Sequence, residues 1–160
     1  MSQSEPLLSP TLDPGKFKHP ARTKDGAPRA DVAFGGLRTL WFNTGTLCNV
    51  TCGNCYIESS PRNDRLSYLT RRDIRQYLDE LADSGRQAEE IGFTGGEPFM
   101  NPDIISHLRD CLVRGYRVLV LTNAMRPLLN HKACLAELKA EFGAKLVLRI
   151  SIDHYSAALH

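Results

Sequence analysis

From Leu37 onward the chain repeats one pattern, and that pattern admits few folds. A short apolar run leads into a polar or glycine-containing loop, and then into apolar residues at helical spacing. "LRTLWFN" (Leu37 to Asn43) reads as a first strand. After a long polar connection, Ile74, Tyr77, Leu78 and Leu81 recur at helical spacing, with Thr70 and Asp73 as a capping-box start and Gly85 as the stop. "EEIGFTGGEP" gives a second strand, and Asn101 and Pro102 suit the N-cap and first position of a helix lined by Ile104, Leu108 and Leu112. "YRVLVLTN" is a third strand. "LLNHKACLAELKAEFG" is a third helix carrying Leu135, Leu138 and Phe142, and "KLVLRISID" a fourth strand. Strict alternation at intervals of roughly 25 to 40 residues predicts right-handed βαβ units around a parallel sheet, an α/β fold.

The flanks differ. Residues 1–35 hold Pro6, Pro10, Pro14, Pro20 and Pro28 among polar residues, which predicts an extended, flexible leader before a core domain over 36–160. The fourth strand is followed only by "HYSAALH", which would leave an edge of the sheet bare, so the sequence reads as truncated within a larger fold.

Composition narrows the function classes. A formal charge of +2, with 24% charged residues, gives no footprint for nucleic acid, and the basic runs "RTKDGAPR" and "RRDIR" are interrupted by acids as solvated surfaces are. No run approaches the roughly 18 apolar residues of a membrane helix, and the N-terminus lacks the pattern of a secretory signal. Five cysteines, an odd number in a chain of this size, predict thiols in the cytoplasm rather than a disulfide framework.

Three of those cysteines, Cys48, Cys52 and Cys55, fall in "LCNVTCGNCYIESSP", at the C-terminal end of the first strand. In parallel α/β folds that end of the sheet carries the site. A structural zinc site wants four ligands, commonly two pairs, and no second pair is present. Cys111 and Cys134 read as small buried hydrophobes within helices. Three thiolates on one loop can instead hold three irons of a four-iron cluster and leave the fourth open to an exogenous ligand. A zinc or iron–sulfur module that only binds a partner, without catalysis, is the alternative.

"FTGGEPFMN" ends the second strand. Gly95 and Gly96 permit positive φ and close backbone approach, and with Glu97 they offer acceptors suited to an ammonium group. A tight turn before a helix is the plain alternative. In "LVLRISID", alternation places Val147, Arg149, Ser151 and Asp153 on one face and an apolar set on the other. A polar face there would line a barrel interior, or Arg149 and Asp153 would form a structural ion pair. Asn43 ends the first strand and Thr122 and Asn123 the third; for Asn43 and Asn123, hydrogen bonding and ligand contact are equally good readings. The histidines show no metal-binding spacing.

The two loops together resemble those of the radical S-adenosylmethionine (radical SAM) superfamily: Cys48-x3-Cys52-x2-Cys55 after one strand, Gly95-Gly96-Glu97-Pro98 after the next. The aromatic residue usual before the third cysteine is Asn54 here, with Tyr56 following. The resemblance implies a partial parallel (β/α) barrel of six units, of which about four are present. It implies a 4Fe-4S cluster on the three cysteines as metal ligands, and S-adenosyl-L-methionine (SAM) as cofactor, its methionyl end received by Gly95, Gly96 and Glu97. Ser151 and Asp153, with Arg149 a weaker candidate, would approach the nucleoside end. The implied reaction is reductive cleavage of SAM to a 5′-deoxyadenosyl radical that abstracts hydrogen from a substrate, the electron coming from a donor such as flavodoxin or ferredoxin. The substrate, a small molecule or a peptide, is not specified. The run "CYIESSPRNDRL" is similar to that of some members acting on small molecules, a lid or surface loop being the other reading.

Overall fold

In the computed structural model the described residues are 18–152 and 156, so the sequence expectations for residues 1–17 and for Asp153 lie outside them. The chain divides into two units at Gly35 and Gly36. In the first, Arg22 and Pro28 form an isolated antiparallel bridge around a turn at Gly26. The Thr23 N–H donates to the Ala27 carbonyl at 2.8 Å and the Arg22 guanidinium to the Gly26 carbonyl at 2.8 Å.

The second unit runs β1 (Leu37–Asn43), α1 (Arg71–Asp83), β2 (Ala88–Thr94), α2 (Ile104–Val113), β3 (Arg117–Thr122), α3 (Arg126–Leu129), α4 (Lys132–Phe142) and β4 (Leu146–Ile150). All strand pairs are parallel, in the order β1-β2-β3-β4. Strand order equals chain order, so right-handed crossovers all step the same way and stack their helices on one face. That face holds the core. Phe42, Ile91, Phe93, Val118, Val120 and Leu146 from the strands meet Ile74, Leu78, Ile104, Leu108, Leu112 and Leu138 from the helices. The register aligns them, Phe42 beside Phe93 and Val118 beside Leu146.

Local sequence explains the helix ends. Thr70 and Asp73 form the reciprocal capping box expected of α1. Asn101 caps the turn before α2, its side chain accepting from the Asp103 N–H at 2.9 Å, but the regular helix begins only at Ile104. The third predicted helix is two: α3 ends at Leu129 and α4 starts at Lys132, with the poor helix formers Asn130 and His131 at the break. Helices α1 and α2 are tied by Asp110, which accepts from Arg71 Nε at 2.8 Å and Nη2 at 2.7 Å and from Arg75 Nε at 2.9 Å.

Two expectations need correction. Cys134 is exposed, because α4 turns it away from the face of Leu135 and Leu138; Cys111 is fully buried, and burial pushes its thiol up to about 12. Strand β4 stops at Ile150, and Ile150 and Ile152 are 52% and 65% exposed, so only the first half of its apolar face meets helices. Arg149 is exposed. Among the described residues, no helix is long and apolar enough to cross a membrane.

Candidate functional site

The loops that follow β1, β2 and β3 converge at the C-terminal edge of the sheet, where parallel strands deliver their chain to one mouth. The loop after β1 carries the three cysteines and folds back on itself. Leu47 and Ser60 form a parallel bridge, the Cys48 N–H donates to the Ser60 carbonyl at 3.1 Å, and the Cys55 N–H donates to the Cys52 carbonyl at 3.2 Å. All three cysteines are free thiols: Cys48 buried, Cys55 half-buried, Cys52 exposed.

The glycine loop after β2 lies backbone to backbone on this cysteine loop. The Gly96 N–H donates to the Gly45 carbonyl at 2.8 Å and the Glu97 N–H to the Leu47 carbonyl at 3.0 Å. Gly95 has φ +139°, and a Cβ on it would come within 2.6 Å of the Gly45 carbonyl oxygen. A Cβ on Gly96 would collide with the Leu47 carbonyl. Both glycines are therefore needed for the loops to meet.

Glu97 is 1% exposed, and its carboxylate is well supplied with donors. Oε1 accepts from the Thr122 hydroxyl at 2.8 Å and the Phe99 N–H at 3.1 Å, and Oε2 from the Asn123 N–H at 2.9 Å. The carboxylate thus links the ends of β2 and β3. Asn123 continues the link to the cysteine loop through Nδ2, 2.9 Å from Asn49 Oδ1 and 3.8 Å from Cys48 Sγ. Asn123, equivocal from sequence, and Thr122, which ends the third strand, are hydrogen-bonding groups of the site. Asn43 also turns inward, its Oδ1 accepting from the Gly45 N–H at 3.0 Å. Only a buried carboxylate with these partners reveals the roles of Thr122 and Asn123; one-dimensional spacing carries no such signal. Ser151, just past β4, is exposed and donates its N–H to the Thr122 carbonyl at 2.9 Å, which places it at the same edge of the sheet.

Comparison with known proteins bears directly on this edge. The family model of the radical SAM superfamily matches residues 42–160, which include all three loops. The chain belongs to the radical SAM superfamily. Among curated radical SAM relatives, it is 34% identical over 113 residues to the antilisterial bacteriocin subtilosin biosynthesis protein AlbA of Bacillus subtilis, covering 71% of this chain and 23% of AlbA. It is 32% identical over 123 residues to 7-carboxy-7-deazaguanine synthase of Methanopyrus kandleri, covering 64% of this chain and 43% of that enzyme. The chain thus spans under half the length of either relative. Crystal structures of Streptococcus suis SuiB share the fold: the SAM-bound form has a TM-score of 0.63 at 21% identity, over 78% of this chain and 27% of SuiB. The form bound to precursor peptide SuiA has a TM-score of 0.63 at 21% identity, over 78% of this chain and 26% of SuiB.

The donor set of this radical SAM chain suits an iron–sulfur cluster. Cys48 is pushed above the ordinary thiol value by burial first, then by the negative charges of Glu97, Cys52 and Cys55, against a lowering Val50 N–H. A cationic centre would offset that opposition, because it stabilises thiolates outright. Burial also opposes ionisation of Cys55, but the N–H groups of Ser59, Ile57 and Glu58 together overcome it and lower its pKa. The Ser59 N–H is 3.3 Å from Cys55 Sγ. Among the described residues, no three His, Cys, Asp or Glu side chains surround one point as for a single ion. A four-iron cluster takes each sulfur on a different iron and needs no such convergence.

Proposed function

We infer that this chain holds a 4Fe-4S cluster on Cys48, Cys52 and Cys55 and binds SAM beside it, as an oxidoreductase of the radical SAM type. One observation carries the reading: the Gly95–Glu97 backbone is zipped onto the loop that bears the thiols, so a ligand at one lies against the other. When bound, the cluster would supply the electron for reductive cleavage of SAM to methionine and a 5′-deoxyadenosyl radical able to take a hydrogen atom from substrate. This chain's own part is placement. The Ser59 N–H stabilises negative charge on the Cys55 sulfur. The buried Glu97 carboxylate, satisfied by Thr122, Phe99 and Asn123, fixes the glycine loop so that its carbonyls receive the methionyl ammonium. Ser151, together with Asp153, is assigned to the nucleoside end. Electrons come from a flavodoxin or ferredoxin, in the cytoplasm. A peptide is the proposed substrate, since AlbA is a bacteriocin biosynthesis protein and SuiB binds precursor peptide SuiA.

The test is anaerobic reconstitution with iron and sulfide, then electron paramagnetic resonance of the reduced protein with and without SAM. The expected outcome is a cluster spectrum that shifts on adding SAM. Loss of the cluster's brown absorbance is expected for alanine at Cys48, Cys52 or Cys55, and its retention for alanine at Cys111 or Cys134. Bound zinc, or a spectrum indifferent to SAM, would leave a metal-binding module without this chemistry.

A further inference from the structure

The carboxamide of Asn123 is held in one orientation by two contacts. Its Oδ1 accepts from the Met125 N–H at 3.0 Å, and its Nδ2 donates to Asn49 Oδ1 at 2.9 Å. An amide nitrogen carries two hydrogens. With one committed to Asn49, the other is available to Cys48 Sγ, 3.8 Å away. The backbone beneath is anchored as well: the Asn123 N–H donates to Glu97 Oε2 at 2.9 Å, and the Ala124 N–H to the Thr122 hydroxyl at 3.0 Å. The donor cannot swing aside without breaking bonds on both sides. Cys48 is 6% exposed, so water has little access to replace it.

A hydrogen bond to a ligand sulfur stabilises the negative charge that reduction adds, and so raises the potential of a cluster. We propose that Asn123 is a positioning residue of this site, donating to the Cys48 sulfur and holding up the reduction potential of the cluster on which Cys48 is a ligand. The proposal rests on the ligand assignment above and adds a residue that neither loop motif contains. The step concerned is a one-electron reduction of the cluster from its 2+ to its 1+ state. Dithionite supplies the electron in the test, and no bond or proton is exchanged at Asn123. A purely structural role, tying the turn after β3 to the cysteine loop, predicts instead a change in stability with no change in potential.

The experiment compares reconstituted wild type with Asn123→Ala, which removes the donor, and Asn123→Asp, which replaces it with a charged acceptor. Iron and sulfide content is measured first, then the midpoint in a mediated dithionite titration followed by electron paramagnetic resonance. The expected result is wild-type cluster content with a more negative midpoint in both variants, lower for Asn123→Asp, so that several-fold less cluster is reduced at a fixed potential. If Asn123→Asp assembles no cluster, Asn123→Ala decides alone. An unmoved midpoint overturns the proposal while leaving the ligand assignment standing. Loss of cluster from both variants makes Asn123 structural and overturns it too. A wild-type protein without a cluster removes the ligand assignment, and the proposal with it.

Discussion

His107 is a buried polar side chain that the candidate site does not use. It is fully buried on α2, stacked on Phe93 with ring centroids 6.2 Å apart, and neither ring nitrogen has a hydrogen-bond partner. The Thr70 backbone favours the protonated ring without meeting hydrogen-bond geometry. Burial lowers the His107 pKa, against the raising effect of the Asp103 and Asp110 carboxylates. A depressed folded value means the unfolded chain takes the proton first. Stability therefore falls as pH drops below about 6.5 and levels off below the folded value. His107→Leu is expected to remove that slope in urea unfolding across pH 5 to 7. It should leave stability at pH 7 equal or higher, because unsatisfied buried polar groups cost about 1–3 kcal/mol. Gly96 offers a second single-residue test. Gly96→Ala drives a methyl into the Leu47 carbonyl. Overpacking of that kind costs about 1–3 kcal/mol, and the spectral shift on adding SAM should disappear while Cys48, Cys52 and Cys55 remain.

Between elements, the firmest polar tie is Asp110 on α2, gripped by Arg71 and Arg75 of α1. The Arg71 side chain first, then Arg75, hold its carboxyl below the ordinary carboxylate value, against some burial. The tie is complete above the unfolded carboxylate value near pH 4 and is lost as pH falls through the depressed folded value. Both guanidiniums reach water, at 45% and 54% exposure, so the stabilisation is screened. Asp110→Asn is expected to lower the thermal midpoint at pH 7 by on the order of 5 °C, with the difference shrinking as pH falls below about 4 and gone only below the depressed folded value. Sequence reached the elements themselves more readily than this tie. The capping box of Thr70 and Asp73, the period of Ile74, Leu78 and Leu81, and the β1 limits at Leu37 and Asn43 are local facts, and they stand in the structure. The split of α3 from α4 and the exposure of Cys134 escaped, because continuous apolar spacing does not say which turn fails to close or which flank faces solvent.

For the whole molecule, winding all helices onto one face leaves the other face of the sheet without a helix among the described residues. Thr39, Trp41, Glu90, Arg117, Val147 and Arg149 line a recess of about 430 Å³ there. Trp41 is 44% exposed and lies over Gly92, where any Cβ would enter its ring. It is also the single tryptophan, so its fluorescence reports on this face alone. Acrylamide is expected to quench it readily in the native protein, and Trp41→Phe to abolish the signal without changing cluster content. Weak quenching in the folded chain would mean that the face is covered.

The fold class and the two site loops were legible in one dimension because each depends on neighbours in sequence. Strand–helix rhythm dictates a parallel sheet, parallel strands send their loops to one edge, and Cys48, Cys52 and Cys55 sit within one such loop. What joins the loops was not legible. The Gly96 N–H meets the Gly45 carbonyl, Glu97 meets Thr122 and Asn123, and Asn123 meets Cys48, each pair separated by 25 to 75 residues along the chain. Hydrogen bonds of that span form only after the sheet sets the strands in register, so tertiary structure alone decided which polar groups would surround the thiols.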